Sequence, residues 1–168
     1  MNMRRIVALL AAAGPLLSPV GCRRTQDAGP PKIDYGQTEC ERCKMIISEV
    51  PYAAALVHVV SGRMQKTAYD DIGCLLRQLA ARDHVEMPKV YVHDFSTRRW
   101  IAADAATFLH CDDLQTPMGS GIVAFEDAAS AESFRKSHKG AIRTFGELLQ
   151  LPDPTPQTNS DSNERSAP

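Results

Sequence analysis

The sequence predicts an α+β fold: two similar ββα-type halves forming one compact exported domain. Two observations lead there. Apolar, β-branched runs come in pairs separated by turn signals, and each pair is followed by an acidic residue and a helical stripe. The entry to the helix is also repeated, Ala68-Tyr69-Asp70-Asp71 in the first half and Ala124-Phe125-Glu126-Asp127 in the second. A length of 168 residues with 43% hydrophobic side chains suits one domain of ordinary size.

Residues 1–22 are a different kind of sequence. Met1-Asn2-Met3-Arg4-Arg5 is basic, Ile6 to Leu17 is apolar, and Ser18-Pro19-Val20-Gly21-Cys22 follows. The apolar run falls short of the roughly 20 residues a spanning helix needs, so the segment reads as an export signal. Cys22 directly after Gly21 resembles a bacterial lipoprotein cleavage site, with Cys22 lipidated as the first residue of the mature chain. Pro19 stands where such sites usually carry Leu; plain cleavage nearby or an uncleaved anchor are the alternatives. All three put the domain outside the cytoplasm, and with lipid on Cys22 the expected place is the periplasmic face of a bacterial membrane.

Residues 23–36 are polar with Pro30-Pro31 and read as a flexible tether. The first half, 37–88, opens on the sulfur motif Cys40-Glu41-Arg42-Cys43-Lys44-Met45. Ala53 to Val60 reads as a strand, Ser61-Gly62 as a turn and Met64 to Tyr69 as the returning strand. Asp70-Asp71 supplies an N-cap, and Ile72, Leu75, Leu76, Leu79 and Ala80 form one helical stripe ending near Arg82. In the second half, 89–150, Val90 to Phe95 and Trp100 to Ala102 read as a hairpin around Ser96-Thr97-Arg98-Arg99. Asp104 to His110 reads as one or two helical turns. Thr116-Pro117-Met118-Gly119-Ser120-Gly121 is a loop, Gly121 to Phe125 a strand, and a helix runs from Glu126-Asp127 to His138 with Gly140 as its C-cap. A last helical segment spans Phe145 to Leu149. Residues 151–168 are poor in apolar side chains and read as a disordered tail.

A net charge of −1 leaves no footprint for nucleic acid. The histidines sit singly in strand patterns or near helix ends, and no nucleophile triad, carboxylate pair or phosphate loop stands out, so an enzyme is not expected.

The chemistry concentrates in the sulfur motif. Soft thiolates and thioethers favour Cu(I), and thioethers bind Zn(II) poorly, so Met45 is more telling than the paired cysteines. If the segment from Cys43 is extended, Cys43 and Met45 point the same way and form a two-sulfur clamp. Met118, in its Gly/Pro-rich loop, is the best third donor, unless it only fills space under the loop. A structural zinc site wants a second close ligand pair, and Cys74, Cys111 and His110 are isolated. Cys74 falls on the helix side opposite the leucine stripe and reads as a semi-exposed or second-layer thiol rather than a ligand. A thiol–disulfide oxidoreductase using Cys40 and Cys43 would place them at a helix N-terminus, whereas a β-prone run follows here. Covalent haem wants His where Lys44 stands.

The Cys-x-x-Cys-x-Met opening, Asp70-Asp71-Ile72-Gly73-Cys74, Val90-Tyr91-Val92-His93-Asp94-Phe95, Trp100-Ile101-Ala102-Ala103, Thr116-Pro117-Met118-Gly119 and Ala124-Phe125 occur in an order and spacing that resemble the NosL family. These are copper-binding lipoproteins that assist maturation of nitrous oxide reductase. The resemblance covers roughly Cys40 to Leu149. It implies a membrane-tethered periplasmic Cu(I) chaperone, with reductase assembly proteins at the membrane as partners and attachment through a lipid anchor. By position Cys43, Met45 and Met118 match the family's sulfur residues, with Cys40 a possible further ligand. Lys44 stands where the family pattern has Gly, which puts the local turn and the geometry at Met45 in question. A copper sensor or storage lipoprotein is the other reading of the same residues.

Overall fold

The computed structural model describes residues 28–82 and 86–151, with the side chains of 86 and 87 left out. The leader, Cys22, the first part of the tether, His84 and the tail from 152 lie outside the described residues. No helix among those described is long and apolar enough to cross a membrane.

The fold is α+β with two antiparallel sheets. Strands β1 (Ala54–Val60) and β2 (Arg63–Tyr69) form a hairpin, and α1 (Ile72–Ala80) follows. β3 (Glu86–His93) pairs with β1 and β4 (Trp100–Ala102) with β3, giving the order β2-β1-β3-β4. β5 (Thr107–Cys111), β6 (Ile122–Phe125), α2 (Ala128–Arg135), β7 (Gly140–Arg143) and α3 (Phe145–Leu148) complete the chain, with the second sheet ordered β6-β5-β7. Two ββα units are visible, β1-β2-α1 and β5-β6-α2. The strands do not divide at residue 88, because β3 and β4 complete the sheet of the first unit.

The strand period of two explains how the second sheet is used. Phe108, Ile122 and Ala124 face the main core, with Leu56, Ile72, Leu75 and Val92. Leu109, Cys111, Val123 and Phe125 face the other way, onto Ala131 and Phe134 of α2. Asp94 couples the sheets: its Oδ2 accepts from the Glu126 amide at 2.8 Å, and the next amide, Phe95, donates to the Ala124 carbonyl at 2.8 Å.

Three expectations change. Residues 104–110 are not helical; a turn leads into β5, whose Phe108 and Leu109 are both buried because the sheet is covered on both faces. Gly140 is not a helix cap. It opens β7, where a Cβ would lie 2.4 Å from the His110 carbonyl oxygen, so glycine serves close strand approach. The tether ends earlier than residue 36: Ile33 is buried in the core, and the Tyr35 hydroxyl lies 2.8 Å from His93 Nε2.

Candidate metal centre

The sulfur motif folds as a tight hairpin, not as an extended strand. Cys40 N donates to the Met45 carbonyl at 2.8 Å and Lys44 N to the Cys40 carbonyl at 3.1 Å, with Glu39 bridged to Ile46. Closing that turn puts Lys44 at φ 63°, in the left-handed region that favours glycine. The turn expected of a glycine is therefore kept with lysine in it. The hairpin is tied to the first sheet by Glu41 N, which donates to the Ala68 carbonyl at 2.9 Å.

This turn separates Cys43 from Met45. Cys43 is half-buried and lines a cavity of about 640 Å³ with Glu41, Arg42, Cys74, Arg77, Gln78 and Met118. Met45 is 58% exposed on the turn and is not among the cavity's lining residues. Lys44's left-handed conformation breaks the alternation on which the predicted Cys43–Met45 clamp depended.

The first turn of α1 supplies what the hairpin lacks. Cys74 is 1% exposed, and its Sγ lies within 4.8 Å of those of Cys40 and Cys43, all three within that distance of one another. This corrects the semi-exposed reading: residues Ile72 to Leu76 are buried on every side, so one stripe does not describe this end of the helix. The signal was available in the position of Cys74 itself, three residues after the cap, where a helix start packs against neighbouring loops.

Met118 reaches the same cavity because Asp71 holds its loop. Asp71 is fully buried, and Oδ1 accepts from Gly73 N at 2.6 Å as the N-cap of α1. Its Oδ2 accepts from Thr116 Oγ1 at 2.6 Å and from the Met118 amide at 3.0 Å. A carboxylate with donors on both oxygens fixes the loop to the helix start. Gly73 permits the close approach, since a Cβ there would sit 2.5 Å from Ser120 Cβ.

The three thiols are electrostatically unequal. The Cys74 thiol donates to Cys40, and with the amides of Cys43, Asp70 and Arg42 it holds Cys40 well below the ordinary thiol range despite burial. The same contact, with burial, pushes Cys74 far up. Cys43 is raised, chiefly by burial. Of the three, Cys40 is the sulfur on which negative charge is most readily held. Arg77 approaches Cys74 Sγ at 3.7 Å from the next helical turn. Cys111 lies elsewhere, in β5, its thiol pushed up to about 11 by burial.

Residues 32–151 match the model of the NosL family. The chain belongs to the NosL family. Among solved structures, the crystal structure of the copper chaperone NosL from Shewanella denitrificans is similar at 25% identity and a TM-score of 0.63, covering 73% of this chain and 97% of that one. No curated protein matches the chain.

Proposed function

We propose that this NosL-family chain carries Cu(I) as cargo on the periplasmic side, tethered to the membrane through lipid on Cys22. It delivers copper for assembly of the nitrous oxide reductase centres through assembly proteins at the membrane. The observation that carries this reading is the set of three cysteine sulfurs converging beside Met118 in one cavity.

The donor set fits the ion. Three sulfurs all within 4.8 Å of one another have a common centre no more than about 2.8 Å from each, and metal–thiolate bonds near 2.3 Å need only a small contraction. Thiolates with a thioether select Cu(I) over harder ions. Cys43, with Cys40 and Cys74, holds the ion; Met118 adds from the loop; Met45, exposed on the turn, takes part as the ion enters or leaves. Loading displaces the thiol protons, so uptake releases acid. A site open on one side lets an acceptor's sulfur or imidazole add before the first donors leave, which permits tight holding and rapid release together.

Thiol–disulfide exchange is less well served. An exchange enzyme exposes its low-pKa thiol, whereas here the thiol held low, Cys40, is fully buried and the accessible one, Cys43, is raised.

Anaerobic titration of the reduced protein with Cu(I) against a competing chelator tests the proposal. One ion is expected to bind tightly, and the Cys43→Ser/Met45→Leu double variant to lose most of that affinity. Binding unchanged in every cysteine and methionine variant would refute it.

A further inference from the structure

A second cavity, of about 590 Å³, opens where the end of α1 meets β3, β4 and α3, and it shares no lining residue with the sulfur cavity. Its walls are apolar: Leu79, Val90 and Phe145 sit at the edge of the main core, and Leu149 is left 45% exposed. The charged residues that line it, Lys89 and Asp104, are both exposed to water. Tyr91 lines it too, but its hydroxyl is already used, donating to the Ala28 carbonyl at 3.0 Å. A space of this size suits a small organic group, since ligand cavities run from about 300 to 1,000 Å³. It offers a polar ligand few convergent partners, whereas a flexible hydrocarbon needs none.

We propose that this cavity seats one acyl chain of the lipid carried on Cys22. The inference rests on the lipid-tether part of the reading above and deepens it. The contact between Tyr91 and Ala28 carries the argument, because it fixes where the tether meets the fold: at a wall of the cavity. Cys22 lies six residues before Ala28, and six residues span at most about 20 Å. A lipid on Cys22 is therefore held within that reach of Ala28, where short tethers give effective concentrations on the order of millimolar.

The energetics favour occupation. Lipid tails are as apolar as leucine side chains, so moving one chain from bilayer to cavity changes its own surroundings little. What is gained is the removal of water from the walls formed by Leu79, Val90, Phe145 and Leu149. Stable anchoring takes more than one chain, and the others stay in the bilayer. Seating also orients the domain. Cys74 and Ala80 lie toward opposite ends of the nine-residue α1, and Ala80 lines the cavity. A chain held there draws the Ala80 end toward the membrane and leaves the sulfur end turned outward.

The test uses the full-length protein made in cells fed a diazirine-bearing fatty acid, so that the chains on Cys22 carry the photoreactive group. It is placed in nanodiscs of unlabelled phospholipid and illuminated. The label is expected on tryptic peptides 78–82, 90–98 or 144–165, which carry Leu79, Val90 with Tyr91, and Phe145 with Leu149. Ala102→Trp fills the cavity from an exposed lining position and should lose most of that label, while Cu(I) binding, measured by chelator competition, stays as in the unsubstituted protein. In the converse arm, unlabelled protein in nanodiscs of photoreactive phospholipid should leave those peptides unlabelled. Label confined to nanodisc lipid or to other peptides, label that survives Ala102→Trp, or label delivered by the phospholipid would overturn the proposal. Mass analysis of the N-terminal peptide separates the two readings. With lipid on Cys22 and no label in the cavity, only this inference falls; with no lipid on Cys22, the tether reading falls and takes this inference with it.

Discussion

Asp71→Asn probes the link between the helix start and the Met118 loop. The native carboxylate accepts one bond from Gly73 N on Oδ1 and two, from Thr116 Oγ1 and Met118 N, on Oδ2. Hydrogen bonds to a charged group contribute about 1.5–3 kcal/mol each, so Asp71→Ala, which loses all three, would forfeit roughly 4.5–9 kcal/mol. That approaches the whole stability of a domain, about 5–15 kcal/mol, and the alanine variant would not be informative. Asparagine keeps the shape and one accepting oxygen. Its NH2 must face a donor on one side, costing a cap or a loop contact, or about 2–3 kcal/mol in all. Urea unfolding measures this cost, and hydrogen exchange at the Met118 amide reports the loop. Copper affinity should fall no further than in Met118→Leu, and the double variant should match Met118→Leu alone, because Asp71 acts on the ion only through Met118. If the two substitutions multiply in their effect on affinity, Asp71 does not act on the site through the Met118 loop.

Lys44→Gly relieves the left-handed conformation at φ 63° and should stabilise the protein by about 1 kcal/mol, seen as a higher unfolding midpoint with an unchanged slope. Gly73→Ala forces a Cβ to within 2.5 Å of Ser120 Cβ, and overpacking of that kind should cost about 1–3 kcal/mol by urea unfolding, with weaker copper retention because the Met118 loop must shift. Asp70 is buried with one carboxylate oxygen unpartnered among the described residues, and burial, then the nearby Cys40, raise its carboxyl to about 6 from 3.8. Its folded value lies above its unfolded one, so its ionisation destabilises the fold. The penalty is complete above about pH 6 and is relieved as the pH falls toward 4, by up to about 3 kcal/mol. Asp70→Asn should remove that part of the pH dependence and raise stability at pH 7; an unchanged pH profile would show that Asp70 carries no such penalty.

Much of the fold was legible because local pattern and tertiary role agree. Asp71 caps α1 as its position before the leucine stripe predicts, and Asp127 does the same for α2. The misreadings come from places where tertiary contacts override local pattern. Leu109 and Phe108 of β5 face opposite cores, so the strand shows no alternation and its neighbouring alanines suggest a helix. Cys74 was judged by a helical stripe that assumes one wet face, yet the hairpin covers that face. Cys40, Cys43 and Met118 were found by their chemistry, and the structure brings all three to the sulfur cluster or its cavity. The position of Met45 depended on whether the backbone at residue 44 is extended, which residue identity alone does not decide.

The sulfurs at the centre come from the hairpin, the start of α1 and the loop before β6, segments far apart along the chain. Folding has already met the entropy of gathering them, so an arriving ion does not have to close long loops for itself. The unfolded chain, with its cysteines dispersed, is by the same token a poor competitor for copper. Cargo and fold are therefore thermodynamically linked: each increment of copper affinity for the native state is returned as resistance to unfolding while the ion is aboard, and withdrawn when it is handed on. A carrier built this way is at its most robust in transit and its most pliant when empty.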